Sequence, residues 1–184
     1  FYEGETARLI AADMAANGGL ITVADLKAYR AVERPAVRGT YRGHEIITMP
    51  PPSSGGIALV QLFGMVEPYD VAALGHNSAA KIHLFVEAMR RAFRDRAEFL
   101  GDPDFVTVPT AGLLDRDYIR GLMGNFDPAK ATPSEGLAPG QPAGLKPMAL
   151  TTPVAHLQHE SVETTHFSVV DAAGNIASCT YTLN

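Results

Sequence analysis

Two threonines near the end of the chain are placed where they could take part in nucleophilic chemistry. Residues Thr164–Val170 and Ile176–Thr182 have the composition of two strands, and a three-residue loop that ends in Gly174 joins them. Glycine suits the left-handed position that such loops require. In this register Thr164 lies directly opposite Thr182. Directly paired residues have side chains about 5 Å apart on one face, so the sequence predicts two neighbouring hydroxyl groups.

The length of the loop decides this pairing, and a second register stays open. A four-residue loop would place Leu183 opposite Thr164, and the threonine pair would be lost. The turn chemistry favours the shorter loop, in which Asp171 pairs with Asn175.

A threonine hydroxyl is a poor nucleophile unless a base accepts its proton. A threonine at a chain terminus carries its own base, the free α-amine, whose pKa is about 8. A cut before Thr164 would create that arrangement, and Thr182 could hold the hydroxyl or the amine by hydrogen bonding. From the residues alone, a threonine-rich amphipathic hairpin without catalytic function is the better-supported alternative, because threonine is common in strands.

The stretch 127–163, which precedes the first of these strands, has a different composition from the rest of the chain. Its prolines and glycines recur without any hydrophobic period, at Pro128, Pro133, Gly136, Pro139, Gly140, Pro142, Gly144, Pro147 and Pro153. This composition predicts a flexible or irregular tether. A tether that ends at a rigid strand suits self-cleavage, because the new amine must be left free and the severed tail must be able to move away.

Residues 1–126 alternate between helical and extended patterns that must position the rest. Threonine and serine precede two of the predicted helices as N-caps, at Thr22 and Ser78. The predicted elements are helices at Glu5–Ala16, Val23–Ala28, Ile57–Met65 and Ala79–Leu100, and an extended region over 30–49 with a turn at Arg42–His44.

The longest predicted helix has two distinct faces. One face is an apolar stripe formed by Ile82, Phe85, Val86, Met89, Phe93, Ala97 and Leu100. The opposite face carries Arg90, Arg91, Arg94, Asp95 and Glu98. We interpret this charged face as solvated or ion-paired.

Composition and charge exclude several classes of function. The 184 residues are 46% hydrophobic and 19% charged, which is typical of a globular protein, and the net charge of −5 argues against a general nucleic-acid binder. Cys179 is the single cysteine, so an internal disulfide and a cysteine-rich zinc site are excluded. The histidines His76, His83, His156, His159 and His166 lack the spacing of a metal site. We therefore expect no metal and no other cofactor.

A second serine and glycine motif has an ordinary structural explanation. Ser53-Ser54-Gly55-Gly56 could supply a nucleophile or an anion nest. A turn that ends the preceding proline run and caps the next helix explains it better.

In its motifs and their order, the chain resembles the γ-glutamyltranspeptidases. The matching pieces are Asn17–Thr22, Asp25-Leu26, Met49–Gly56, Asp95-Arg96, Leu100–Phe105, Thr164–Asp171, Gly174-Asn175 and Thr180–Asn184. Each piece alone is a weak match, but together, in this order and spacing, they are a strong one. Only the predicted tether lies outside the resemblance.

The resemblance implies an α/β (α+β) fold, part of the αββα sandwich of the N-terminal nucleophile hydrolases, made as a precursor that cuts itself. It implies cleavage of the Glu163–Thr164 bond, with Thr164 as the nucleophile. It implies that Thr182 hydrogen-bonds this nucleophile and that Asn184 lies in the γ-glutamyl pocket. On this basis we expect the large-subunit region over 1–126, the tether over 127–163 and the start of the small subunit over 164–184.

The resemblance also implies substrates, partners and a cellular location. We expect a γ-glutamyl donor such as glutathione, and water or an amino acid or peptide as acceptor. Large and small subunits of one precursor would form a heterodimer, exported to the periplasm or outside the cell. Two alternatives stay open: a related amidase such as a cephalosporin acylase or a poly-γ-glutamate-processing enzyme, and a non-catalytic homologue.

We also expect the chain to be an internal piece of a longer protein. The family's substrate-gripping arginine and its Ser-Ser and Gly-Gly elements, which form the glutamyl contacts and the oxyanion hole, would lie outside residues 1–184. Ser53-Ser54-Gly55-Gly56 is a different motif from these elements.

Overall fold

The computed structural model describes residues 1–145 and 164–182, which belong to two compact units. The first unit lies within Phe1–Lys146 and the second within Pro147–Asn184. The elements of the first unit are α1 (Glu5–Ala16), α2 (Val23–Ala28), β1 (Val37–Tyr41), β2 (His44–Thr48), α3 (Gly55–Val66), α4 (Ala79–Phe99), α5 (Thr110–Leu113), α6 (Arg116–Gly121) and a 3-10 turn (Ser134–Gly136). Those of the second are β3 (Thr164–Val170) and β4 (Ile176–Thr182), and each pair of strands forms a two-stranded antiparallel sheet.

The predicted helix caps and the predicted hairpin turn are present in the structure. The predicted cap at Thr22 is confirmed, because its hydroxyl accepts a hydrogen bond from the Asp25 amide while the Asp25 carboxylate accepts one from the Thr22 amide. The Ser78 hydroxyl likewise accepts from the Lys81 amide, 3.1 Å away. The predicted turn between β1 and β2 is also confirmed, since Arg42 and Gly43 both have positive φ values, at 49° and 81°. The two short helices α5 and α6 had not been predicted.

The core of the first unit is built around α3. This helix packs against β1, α4 and α6, and it buries Ile57, Val60 and Met65. Leu84 of α4 and Leu113 of α5 complete the fully buried centre. No helix among residues 1–145 is long and apolar enough to cross a membrane.

Helix α4 turns part of its charged face towards the protein, so that the interpretation of this face as solvated or ion-paired has a different outcome at different residues. The side chains of Glu87, Arg91 and Asp95 are only 1%, 3% and 1% exposed. Residues of the apolar stripe are about half exposed in this unit, for example Ile82 at 53% and Phe93 at 50%. Ion pairing is confirmed for Arg90, Arg91, Arg94 and Glu98. Solvation is wrong for Arg91 and Asp95, which are buried.

The buried pair Glu87–Arg91 explains why charge can lie inside. Arg91 donates a hydrogen bond of 2.6 Å to the Glu87 carboxylate, and Arg90 donates another of 2.6 Å to the same group. Arg91 also donates to the Asn125 side chain and to the Thr132 hydroxyl. The Thr132 amide donates to Glu87 in turn. Among the described residues, every buried side-chain nitrogen and oxygen atom has a hydrogen-bond partner.

Asp95, one turn further along α4, ties three other elements to the helix. Its carboxylate accepts hydrogen bonds from Gln61 of α3, from the Tyr118 hydroxyl of α6 and from the Gly140 amide. Burial, followed by the hydrogen bond to Asp95, raises the pKa of Tyr118, so this phenol stays a donor at all ordinary pH values.

The segment 127–145 is irregular, as predicted for the tether, but it is anchored to the first unit. Besides the contacts at Thr132 and Gly140, the chain at Ala143 passes so close to Gly112 that a β-carbon on Gly112 would lie 2.1 Å from the Ala143 carbonyl oxygen. The remainder of the predicted tether, 146–163, lies outside the described residues. The boundaries at residues 126 and 163 stay predictions.

The Glu87 network predicts a specific loss of stability in acid. Burial alone would raise the pKa of Glu87, but hydrogen bonds from Arg91, Thr132 and Arg90 outweigh it and lower the pKa from 4.5 to about 2. The carboxylate therefore stabilises the fold fully above pH 4.5, and this stabilisation disappears as the pH falls towards about 2. We expect Glu87→Gln to reduce the free energy of unfolding at pH 7 by about 3–5 kcal/mol, because it leaves the Arg91 charge buried without its partner.

Denaturant unfolding of the complete protein between pH 7 and pH 3 checks this expectation. The difference between the parent and Glu87→Gln should shrink as the pH falls through that range. Glu98→Gln is the matched control, because Glu98 lies on the same helix in an exposed ion pair of 3.6 Å with Arg94. We expect that control to change stability by less than about 1 kcal/mol. A difference for Glu87→Gln that does not vary with pH would contradict the assignment.

Candidate active site

The hairpin β3–β4 has the register that the shorter loop predicts. Thr164 pairs with Thr182, His166 with Thr180, Ser168 with Ser178, and Val170 with Ile176. The alternative register, with Leu183 opposite Thr164, is thereby excluded. The backbone thus brings the two predicted threonines directly opposite each other at the open end of the hairpin.

The turn at the closed end fixes this register through Asp171. Its carboxylate accepts hydrogen bonds from the amides of Ala173 and Asn175, each 2.9 Å long, and from the Asn175 side chain at 2.7 Å. Gly174 has a φ of +85°, as the three-residue loop requires. The hydrogen bonds from the Asn175 side chain and backbone, and then those from the other loop amides, lower the pKa of Asp171.

The alternation of the hairpin separates a polar face from a largely apolar one. His166, Ser168, Ser178 and Thr180 are joined by hydrogen bonds on one face. Phe167, Val169, Ala177 and Cys179 occupy the intervening positions of the two strands. In the backbone register, Thr164 and Thr182 lie two residues beyond His166 and Thr180 along their strands.

The described residues contain part of the predicted site. Thr164 and Thr182 are opposed through the backbone register. Glu163 and Asn184, the other predicted site residues, lie outside the described residues, so their roles stay predictions. Within residues 1–145 and 164–182, no group of three or more histidine, cysteine, aspartate or glutamate side chains could hold a metal ion.

The three-residue loop predicts that His166 lies opposite Thr180, but the hydrogen bonds of the imidazole to hydroxyl groups were not predicted. Its Nδ1 atom lies 2.9 Å from the Thr180 hydroxyl, and its Nε2 atom lies 3.3 Å from that of Ser168 and 3.2 Å from that of Ser178. The signal was present in the sequence, because polar residues recur at every second position on both strands around this histidine.

Ser54 lies at the start of α3, as the interpretation of Ser53–Gly56 as a turn and cap requires. Its hydroxyl does not cap the helix, however, because it accepts a hydrogen bond of 2.9 Å from the Arg96 side chain instead. The serine therefore links the start of α3 to the end of α4.

Comparison with known proteins covers the whole chain. The family model described as Gamma-glutamyltranspeptidase matches residues 1–184. A glutathione hydrolase proenzyme of Escherichia coli (strain K12) is 45% identical over 184 residues, which are 100% of this chain and 29% of that protein. An acylase ACY 1 proenzyme of Pseudomonas sp. (strain V22) is 43% identical over 183 residues, 100% of this chain and 30% of that protein.

Solved structures show the same relationship. The Helicobacter pylori γ-glutamyltranspeptidase is 42% identical with a TM-score of 0.72, over 81% of this chain and 42% of that one. A cephalosporin acylase of Bacillus halodurans is 28% identical with a TM-score of 0.60, over 69% of this chain and 23% of that one.

The fold and the family follow from these likenesses together with the hairpin. The expected mixed helix and strand fold of the N-terminal nucleophile hydrolases is confirmed by the structural neighbours. The chain spans slightly under a third of the length of the curated relatives that it matches. From its motifs, its hairpin register and the match over all 184 residues, the chain belongs to the γ-glutamyltranspeptidase family.

Proposed function

We propose that this chain is part of a γ-glutamyltransferase and glutathione hydrolase that matures by cutting its own Glu163–Thr164 bond. The observation that carries the proposal is the pairing of Thr164 with Thr182. It occurs in a chain 45% identical to a glutathione hydrolase proenzyme. A free amine on Thr164 would place a base beside the hydroxyl that it must activate.

The proposed reaction uses the Thr164 hydroxyl twice. In the precursor its oxygen attacks the Glu163 carbonyl carbon, the peptide C–N bond breaks, and the resulting ester is hydrolysed by water. In the mature protein the same oxygen attacks the carbonyl carbon of a γ-glutamyl amide while the α-amine accepts the hydroxyl proton. The amine of the donor leaves with a proton, and an acyl-enzyme ester remains on Thr164.

Resolution of the acyl-enzyme distinguishes the two activities of such an enzyme. Attack by water releases glutamate, which is hydrolysis, and attack by an amino acid or peptide amine forms a new γ-glutamyl amide, which is transfer. In this proposal the Thr182 hydroxyl supports the nucleophile by a hydrogen bond, and Asn184 binds the γ-glutamyl group.

The assembly and location of the protein are part of the same proposal. Large and small subunits cut from one precursor form a heterodimer, and the protein is exported to the periplasm or outside the cell. The relatives named proenzymes support the subunit arrangement. Denaturing gels of periplasmic, secreted and cytoplasmic fractions test both points, since each subunit should migrate as its own band in an exported fraction.

A related acylase is the second candidate function. The acylase ACY 1 proenzyme at 43% identity and the cephalosporin acylase structure favour it specifically. A γ-glutamyl anilide and a glutaryl anilide differ only in the α-amino group of the acyl part, so their relative kcat/KM separates the two candidates. We expect the γ-glutamyl compound to be preferred, and preference for the glutaryl compound would favour the acylase.

The first prediction for the site concerns the nucleophile itself. In the complete protein, Thr164→Ala should abolish both self-cleavage and turnover of a γ-glutamyl anilide, because one hydroxyl performs both attacks. A denaturing gel and a steady-state assay measure the two effects. Thr165→Ala is the matched control, since Thr165 pairs with Tyr181 in the adjacent register position, and it should still give two bands and turnover. Loss of cleavage with activity kept would refute the shared nucleophile.

The second prediction concerns the supporting hydroxyl. Thr182→Ala should lower kcat about ten- to a few hundredfold, because a lost hydrogen bond that leaves a buried partner unpaired costs about 1–3 kcal/mol. Thr182→Ser should recover much of this loss, because it restores the hydroxyl and removes only a methyl group. Steady-state rates of the mature protein decide the matter, and an Ala variant as fast as the parent would show that Thr182 has no such role.

A further inference from the structure

We propose that His166 is a positioning residue for the Thr164 nucleophile and that it acts through Thr180. This inference rests on the proposed function, because it concerns the same hydroxyl chemistry. The carrying observation is the set of hydrogen bonds by which the imidazole joins three hydroxyl groups on the polar face of the hairpin.

The imidazole bridges two successive rungs of the hairpin. Its Nδ1 atom is 2.9 Å from the Thr180 hydroxyl directly across the sheet. Its Nε2 atom is 3.3 Å and 3.2 Å from the hydroxyls of Ser168 and Ser178, which form the next rung towards the turn. These two serine hydroxyls are 3.3 Å from each other. Both ring nitrogens are therefore engaged, and the ring is held from two sides.

The position of His166 in the strand shows how it would act. Residues two apart on a strand are separated by about 6.6–6.8 Å, so His166 is one rung away from Thr164 and acts on it indirectly. The rung between the serines and the threonine pair is His166–Thr180 itself. The imidazole therefore orients the Thr180 hydroxyl, which belongs to the rung next to Thr164 and Thr182.

Hydrogen-bond capacity explains why a histidine suits this place. A hydroxyl group has one donor and two acceptor sites, and a neutral imidazole has one donor and one acceptor. In the tautomer that carries its proton on Nδ1, the imidazole donates a hydrogen bond to the Thr180 hydroxyl and accepts one from a serine hydroxyl at Nε2. The Thr180 hydroxyl can then donate its own proton to a further acceptor on the same face of the hairpin. An alanine at position 166 would remove this contact, so the imidazole would no longer orient the Thr180 hydroxyl.

Neither metal binding nor the hairpin register explains the hydrogen bonds of His166. No metal-binding group includes it among the described residues. The hairpin register is held separately, by the Asp171 turn at the other end of the strands. Loss of His166 should therefore leave the hairpin register intact. If His166 positions the nucleophile, its loss should instead lower the rate of turnover.

Kinetic variants of the complete, mature protein test the inference. We expect His166→Ala and Thr180→Val each to lower kcat for a γ-glutamyl anilide about 3- to 30-fold, with KM within about twofold of the parent. The two substitutions should not add, so the double variant should be no slower than the slower single variant, because both break the same contact.

Rescue by the conservative variant separates positioning from a merely structural role. The side-chain amide of asparagine can replace Nδ1, and that of glutamine extends towards the position of Nε2. We therefore expect His166→Asn to recover part of the rate and His166→Gln to recover less. Cys179→Ala is the matched control on the same hairpin, one residue from Thr180 at an intervening position, and it should leave kcat unchanged. Melting temperatures of all variants should stay close to that of the parent.

The outcomes distinguish this inference from the function on which it rests. Full activity of His166→Ala, or equal recovery by asparagine and glutamine, would overturn the positioning role while the Thr164 reaction still stood. Additive losses in the double variant would overturn the route through Thr180. Activity that survives Thr164→Ala would instead overturn the proposed function itself.

Discussion

The buried carboxylate of Glu87 and the guanidinium of Arg91 constrain how the first unit is built. Charges that are 1% and 3% exposed cannot stay unpaired, because the cost of leaving one unpartnered is several kcal/mol. The two groups satisfy each other only in part. Arg90 and Thr132 donate further hydrogen bonds to Glu87, and Asn125, Thr132 and the Leu122 carbonyl accept further hydrogen bonds from Arg91. This requirement turns the part of α4 that carries Glu87 and Arg91 inward, and it holds an otherwise irregular segment against the helix.

The same segment lies on the chain that leads to the predicted cut. A second contact is the hydrogen bond from the Gly140 amide to Asp95, and a third is the close packing of Ala143 against Gly112. A proline- and glycine-rich composition therefore does not mean that the whole stretch is loose. Irregular backbone can be well anchored when it forms hydrogen bonds with buried charged side chains of a helix.

The hairpin illustrates the opposite situation, in which local contacts suffice. Asp171 closes the loop with hydrogen bonds to residues at most four positions away, and the period of two carries the register along both strands. The pairing of Thr164 with Thr182 follows from that turn. The hydrogen bonds of His166 also lie within the hairpin.

The features that could be predicted from the sequence are those that short-range interactions control. The cap at Thr22, the turn at Arg42-Gly43 and the threonine register depend on residues close in sequence, and all three were predictable. The tertiary structure decided which face of α4 is buried and where the irregular segment is held. An amphipathic pattern favours burial of the apolar stripe, but Arg91, Glu87 and Asp95 also have partners 23 to 45 residues away along the chain, beyond the local Glu87–Arg91 pair. No local pattern encodes those partners, because only the folded chain brings them to the helix.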